Sequence, residues 1–560
     1  MKALWDELKP LLLSLAALSF FMNLLMLVPA VFMLQVFDRV IPSNSKETLI
    51  VLLAGTVLAL SILFLLDYVR SRLQNVLGNI IEERLSPSVV NVVVMKASRA
   101  PQTARTEGIR DVASLRMMFS TNGLISLFDA PWVPVYVAVI WMFHPALGIA
   151  AAGCAVMMLG MAWLNDRLNR NSLENLQNES RRASHYVETS LRNAEVLQAL
   201  GMTHSLLARW RHFQDKVGVL QEGSSKSGAV FSAMSRFMRQ FVQIFMLTLG
   251  AFLVLTQEAS AGIMIATTVL LGRAVQPVEQ LVGSWKILTE ARAAFRRLTE
   301  LSKDFDRGES HVKLPASKGR LSSENVSYRL AGTDTHILSN VTFRLEAGES
   351  LAIIGPSAAG KSTLARVLTG VWAPTSGTVR LDGADIAYGP RADLGIRIGY
   401  VPQDVELFPG NVADNIARLG EVDSEAVVTA AKRANAHELI LSLPHGYETQ
   451  VGESGSNLSP GQRQRIALAR ALYGDPKYLV LDEPNSNLDG AGEAALAQAM
   501  GALREEGVTS IVVTHRPSLI AHVDKILVMG AGRIQQFGPA AEVMKSMQQM
   551  QVVGGSTKAA

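Results

Sequence analysis

The sequence predicts two parts of different fold class: an α-helical transmembrane half of six spans, then an α/β domain built on a phosphate-binding loop. Three observations predict it. Apolar runs long enough to cross a bilayer recur through the first half and stop before Gly283. Strand and helix patterns alternate from about Arg320 onward. Between a buried-strand pattern, "SLAIIG", and an amphipathic-helix pattern, "STLARVLTG", lies "GPSAAGKST", Gly355 to Thr363. A chain of 560 residues, 49% hydrophobic and only 18% charged, is too long for one core and too apolar for an ordinary soluble protein. A formal charge of +4 is mild, and a nucleic-acid partner is not suggested.

The expected spans are Leu11–Val36, Leu49–Leu66, Leu124–Phe143, Ala146–Leu164, Val230–Leu255 and Ala261–Val282. Asn23, Pro29 and Pro277 interrupt them, as polar and helix-breaking residues do in bundles or beside a cavity. The first run lacks the cleavage pattern of a signal peptide and reads as a span. The single cysteine, Cys154, sits in an apolar run and reads as a small buried hydrophobe. Loops Phe37–Thr48, His144–Pro145 and Thr256–Ser260 carry only Arg39 and Lys46 as basic residues, whereas Asp67–Asn122 and Asn165–Ala229 are rich in Arg and Lys. The positive-inside bias puts the long loops and both termini in the cytoplasm. The long loops carry apolar residues at helical spacing, so they read as membrane helices continuing into the cytoplasm. Their tips, near Gln102–Ile109 and Asn193–Leu200, are candidates for docking on the second domain.

In the second half, the stretch Gly355, Pro356, Ser357, Ala358, Ala359, Gly360, Lys361, Ser362, Thr363 matches G-x-x-x-x-G-K-[ST]. Strand before and helix after turn the match into a nucleotide site: backbone N–H groups close on phosphates, Lys361 adds a charge and Ser362 a Mg²⁺ ligand. "YLVLDEP" is a buried strand ending in Asp482 and Glu483. The first carboxylate can hold the Mg²⁺ shell and the second can polarise an attacking water. "NLSPGQRQRIALARAL" admits two readings. Ser459 and Gln462 make a helix start with Pro460 at its first position, or the helix N-terminus with Gly461 is an anion site that closes on a second copy's phosphate.

Together these residues carry a resemblance. The phosphate loop, "YVPQD", "LSPGQ", "LVLDEP", "NSNLD" and "VVTH", in that order from about Leu321 to Val543, resemble the ABC transporter ATPase. The resemblance implies ATP and Mg²⁺ as ligands, with Mg²⁺ on Ser362, Gln403 and Asp482. It implies Glu483 as catalytic base, His515 on the γ-phosphate, Gln403 as a Mg²⁺ sensor and Asp489 as a link across a dimer. Tyr328 matches the family's adenine-stacking aromatic, and "GESG" around Glu453 the segment that touches the cytoplasmic turn helices. The departure is Pro460, where most members have glycine. Expected boundaries are 1–301 for the transmembrane domain with its helical extensions, 302–320 for a linker, 321–545 for the ATPase domain and 546–560 for a disordered tail.

Six spans ahead of one such ATPase resemble a half-transporter of the exporter type, working as a homodimer. "FMLQVFDRVIPSNSKETL", "FDAPWVPVYVAVIWMFHPALG", "LRNAEVLQALGM" and "LGRAVQPVEQLVGSWK" resemble the ABC component of bacterial type I secretion systems, in the protease- and lipase-exporting, PrtD-like branch. A span starting by about Leu11 agrees with that branch, which lacks an amino-terminal peptidase domain. The resemblance implies residence in the bacterial inner membrane, a periplasmic adaptor, an outer-membrane channel of the TolC kind and a secreted, unfolded polypeptide. Two other readings compete: export of lipids or small amphiphiles in the same fold, and a non-pumping channel or regulator. Intact Glu483 and a complete signature argue against the last. Finally, Asp129 and Arg273 lie at similar depth in the third and sixth spans, so they are expected to pair or to line one cavity.

Overall fold

The computed structural model describes residues 2–99, 107–191, 193–303, 316–330 and 335–556. It divides into two compact units, Met1–Val94 with Arg105–Phe305, and Met95–Ala104 with Asp306–Ala560.

The first unit is all helix. Its elements are α1 (Lys2–Leu25), α2 (Val28–Gln35), α3 (Lys46–Arg99), α4 (Glu107–Ser120), α5 (Asn122–Asp129), α6 (Val133–Phe143), α7 (Pro145–Leu191), α8 (Ala194–Ala199), α9 (Thr203–Leu255) and α10 (Ala261–Ser302). At 1.5 Å per residue, the 54 residues of α3 run about 80 Å, far beyond the roughly 30 Å of hydrocarbon. Its lower half buries Leu77, Ile81, Leu85, Val89 and Val92 at helical spacing. The expected continuation of the membrane helices is therefore a packed helical body. Among the described residues, five helical stretches are long and apolar enough to cross a membrane: Trp5–Ser43, Lys46–Arg99, Gly123–Phe143, Thr203–Leu255 and Ala261–Leu281. Within the expected fourth span the described residues hold an apolar helical stretch, Pro145–Met161, inside the longer helix α7. The tip expected at Gln102–Ile109 lies largely outside the described residues; the one at Asn193–Leu200 holds α8.

The third span is broken where the sequence carries Asp129-Ala130-Pro131. A 3₁₀ turn, Ala130–Trp132, joins α5 to α6, whose first turn takes Pro134. Asp129 does not pair with Arg273. Its carboxylate, in a residue only 8% exposed, accepts from the Ser19 hydroxyl and from Asn23 Nδ2 (2.8 Å), and faces Arg70 Nη1 at 3.5 Å. Tyr136 donates to Asn23 Oδ1 (2.9 Å) and extends the cluster to α6. Arg273 donates to Gln276 on its own helix (3.2 Å). The partners of Asp129 come instead from α1 and α3, which supply Ser19, Asn23 and Arg70.

The second unit carries two sheets. An antiparallel one runs β2-β1-β4-β5, from β1 (Leu321–Arg329), β2 (His336–Leu345), β4 (Ser376–Leu381) and β5 (Ala384–Asp385). The other runs β10-β9-β3-β8-β7-β6, from β3 (Ser350–Ile354), β6 (Ile398–Val401), β7 (Tyr478–Asp482), β8 (Thr509–Val513), β9 (Lys525–Gly530) and β10 (Arg533–Pro539). In it β9, β3, β8, β7 and β6 are mutually parallel, and β3, β7 and β8 are buried at every residue. That burial explains their continuous apolar runs. Parallel neighbours β3, β7 and β8 bring the phosphate loop, Asp482 and Thr514 to the same carboxyl edge, where ligands bind in open α/β sheets. The expected disordered tail is helical over much of its length: a helix spans Ala540–Ser556.

Candidate functional site

The loop after β3 turns through left-handed backbone at Ala358 (φ 63°) and Gly360 (φ 93°), while Gly355 sits at φ 150°. A Cβ on Gly355 would meet the Met529 carbonyl at 2.2 Å, so only glycine lets the loop leave the strand here. The loop opens the helix α11 (Lys361–Leu368). Lys361 is buried, and its Nζ donates to the carbonyls of Gly355 (2.9 Å) and Pro356 (3.0 Å). The ammonium thus lies curled in the loop's own mouth, where a phosphate would meet it.

Ser362 Oγ donates to Asp482 Oδ1 (3.1 Å). Asp482 is fully buried, and its Oδ2 has no hydrogen-bond partner. Burial pushes its carboxyl above the ordinary range and Glu483 adds to this, against the pull of Ser362, Arg366 and Lys361. A buried carboxylate oxygen without a partner beside a hydroxyl is costly unless a cation completes it, and hard oxygen donors suit Mg²⁺. No group of three or more His, Cys, Asp or Glu able to hold a metal occurs among the described residues. The fitting set is instead one carboxylate, one hydroxyl and the Gln403 amide, which suits an ion that takes its remaining ligands from phosphate and water.

Gln403 Nε2 donates to Glu483 Oε2 (3.1 Å), which joins two residues predicted from separate motifs. Glu483 adopts φ 50°, a strained conformation for a non-glycine residue, held by its N–H to the Val513 carbonyl (3.0 Å) and by Gln464 Nε2 on its own carbonyl (3.3 Å). Buried Thr514 bonds Asn485 (3.2 Å), which ties the strand ends together. His515 next to it is exposed and makes no hydrogen bond or ion pair among the described residues.

Ser459 caps the helix α12 (Pro460–Leu472). Its Oγ accepts from Gln462 N (3.3 Å), while its own N–H bonds Gln462 Oε1 (2.8 Å), a complete capping box. Gly461 lies under Asn487, where an added Cβ would come within 3.1 Å of the Asn487 carbonyl. Asp489 caps the helix Gly490–Glu505 through Gly492 N (2.8 Å), with Arg465 at 3.9 Å and most of its side chain exposed. Glu453 begins a 3₁₀ turn, Glu453–Gly455.

Tyr328 is already stacked. Its ring lies 5.0 Å from Trp372 at 17°, and Arg366 sits 4.8 Å over the Trp372 ring. One face of the expected adenine platform is therefore covered, and adenine stacking needs the other face or a displaced Trp372. Trp372 escaped the sequence reading because a lone tryptophan after a helix carries no motif. Its indole N–H donates to the Ser98 carbonyl (2.8 Å), in the Met95–Ala104 segment that packs within this unit.

Comparison with known proteins matches this geometry. A family profile described as "ABC transporter" fits residues 338–486, and one described as "ABC transporter transmembrane region" fits residues 12–278. The chain is 40% identical over 532 residues to the Type I secretion system ATP-binding protein PrsD of Rhizobium meliloti (strain 1021), covering 94% of this chain and 91% of that one. It is 29% identical over 551 residues to the Leukotoxin translocation ATP-binding protein LktB of Mannheimia haemolytica, covering 96% and 77%. In fold it superposes on a bacterial Atm1-family ABC exporter with ATP bound, at a TM-score of 0.82 and 23% identity over 99% of both chains.

Proposed function

The chain belongs to the ABC transporters, among the ATP-binding proteins of type I secretion systems, and from that premise we propose that it is an ATP-driven exporter moving an unfolded polypeptide out of the cell. It is a multi-pass membrane protein with an ATP-hydrolysing domain. The observation that carries the reading is likeness along 94% of the chain to PrsD, with Glu483 and the whole nucleotide set intact. The working unit is a homodimer in the inner membrane, ATPase domain and both termini cytoplasmic, joined to a periplasmic adaptor and an outer-membrane channel.

The loop N–H groups and Lys361 bind the β- and γ-phosphates, and Ser459 and Gly461 of the opposite subunit close over the γ-phosphate. Ser362, Gln403 and Asp482 would hold Mg²⁺, which when bound neutralises charge on the phosphate oxygens. Glu483, oriented by Gln403, takes the proton of the attacking water, and His515 steadies the γ-phosphate. Tyr328 supports the adenine and Asp489 relays closure between the two sites.

Cells given an adaptor, an outer-membrane channel and a polypeptide encoded beside this gene should release that polypeptide only with the intact chain, and Glu483→Gln should stop it. Release of amphiphilic small molecules without any polypeptide would overturn the reading.

A further inference from the structure

The cytoplasmic stretch of α10 separates two cavities of the membrane unit. One, of about 650 Å³, is apolar and aromatic, with Trp5, Met118, Phe119 and Phe295 in its walls. Trp5 and Phe295 remain 59% and 53% exposed. The other, of about 530 Å³, is lined by Arg292, Arg296 and Lys303 with Glu174 and Glu300. Arg292 and Phe295 belong to both, so the two cavities form one groove across α10. Arg292 and Arg296 are exposed and enter no ion pair among the described residues, whereas Arg297 is held by Asp111 (2.8 and 2.5 Å).

The groove starts at the membrane edge, where Trp5 and Phe119 lie at or beside the ends of the apolar stretches Trp5–Ser43 and Gly123–Phe143, and runs away from it along α10. Phe295 lies 14 residues past Leu281, the end of the apolar stretch of α10, or roughly 20 Å at 1.5 Å per residue. Ile81 and Leu85 on the opposite wall lie still farther from the apolar part of α3. The end that holds Phe295 and Arg296 lies in the aqueous body, where a polypeptide reaches it. Unpaired guanidinium groups beside an aromatic pocket ask for carboxylates next to apolar side chains. Asp6, on the α1 wall, repels acids and directs them toward α10.

We infer that this groove, which rests on the polypeptide-export reading, docks an acidic, apolar segment of the cargo: apolar side chains fill the Trp5–Phe119–Phe295 pocket and carboxylates engage Arg292 and Arg296. The pairs are exposed, so each is weak, and affinity comes from both halves of the groove together.

The test uses the full chain in lipid nanodiscs and a fluorescent synthetic peptide with an apolar cluster flanked by aspartates. Its isomer carries lysines at those positions. The acidic peptide should bind, and Arg292→Glu with Arg296→Glu should weaken it on the order of tenfold while improving the lysine isomer, with basal ATP hydrolysis unchanged. Equal binding of both isomers, or of wild type and variant, overturns the inference. Maleimide labelling of Phe295→Cys in a Cys154→Ser background should be blocked by the peptide. Failure to label in the free dimer, meaning that a second copy covers the groove, overturns it, as does a photoreactive group at Phe295 that captures lipid. In cells, secretion by wild type but not by the double variant supports the site, and equal secretion by both sinks the site alone. Silence from both sinks the export reading, and the inference with it.

Discussion

Asp482 and Asp129 are both buried acids, one at the end of a strand in the ATPase unit and one at a helix break among the membrane helices. Their surroundings differ. Asp482 has a single hydroxyl donor, and one oxygen is left with nothing. Asp129 collects Ser19, Asn23 and Arg70. A buried polar atom left without a partner costs about 1–3 kcal/mol, so a fold retains it where a ligand repays the loss. A saturated carboxylate needs no ligand and instead fixes the elements that supply its donors. Asp482 therefore marks chemistry and Asp129 marks architecture. The membrane cluster has one flaw, Arg70 Nε, which is buried without a partner, although the same guanidinium reaches Asp67 Oδ1 (2.8 Å) as well as Asp129.

The largest effect expected from breaking this contrast is at Glu483. Glu483→Gln keeps an oxygen for Gln403 but loses the base, so steady-state hydrolysis should fall by about 10²–10⁴-fold. Nucleotide binding, read by a fluorescent ATP analogue, should persist. Turnover near wild type would remove Glu483 from that role. Next comes Asp129→Leu, which takes the carboxylate from Ser19 and Asn23 and leaves Arg70 with Asp67 alone (2.8 Å), and should cost about 1–3 kcal/mol in unfolding of the purified protein. If the single change leaves stability intact but abolishes export, Asp129 is chemistry after all.

A milder test sits in the ATPase unit. Asp382 accepts from Ser317 Oγ (2.8 Å) and from the N–H groups of Lys318 (2.9 Å), Gly319 (3.1 Å) and Arg320 (2.9 Å). Burial pushes its carboxyl up, but these four donors outweigh it and hold it below the ordinary value. A depressed carboxylate contributes stability that is present above its unfolded value, about 3.9, and is lost as pH falls through the lower folded value. Asp382→Asn should be less stable than wild type at pH 7, and the gap should close toward strongly acid pH. A gap in urea midpoint that widens as pH falls would contradict saturation as the source of its stability.

The same contrast explains what could be read from residues alone. The phosphate loop, Asp482, Glu483 and the signature helix each lie within a few positions of a strand end or helix start, so local geometry dictates their chemistry. The Gln403–Glu483 contact needed only the parallel pairing of β6 and β7 to join two such motifs. Asp129 was visible as an intramembrane charge, but its partners come from α1 and α3, far away in sequence. Helical rise fixes depth and leaves rotation open, which is why Arg273 was an equally good candidate on paper. Trp372 was invisible for a related reason: stacking on Tyr328 and bonding Ser98 are tertiary events with no periodic trace.

Ser459 sharpens the comparison at the smallest scale, since it is saturated like Asp129 yet sits where chemistry is proposed. As a cap alone, its hydroxyl serves Gln462 N, and Ser459→Ala should cost about 1 kcal/mol of ATPase-unit stability, while Ser459→Gly should cost a few tenths. Activity would then follow stability, with the glycine variant near wild type and the alanine variant below it. If the hydroxyl also reaches the γ-phosphate held by Lys361 of the opposite subunit, both variants lose the same donor. They should then fall in hydrolysis together, whatever their unfolding midpoints. Measuring ATP turnover and thermal unfolding on the same two preparations separates the cases. Parallel loss of activity at unequal stability assigns Ser459 to the composite site; activity ranked by stability leaves it a helix cap.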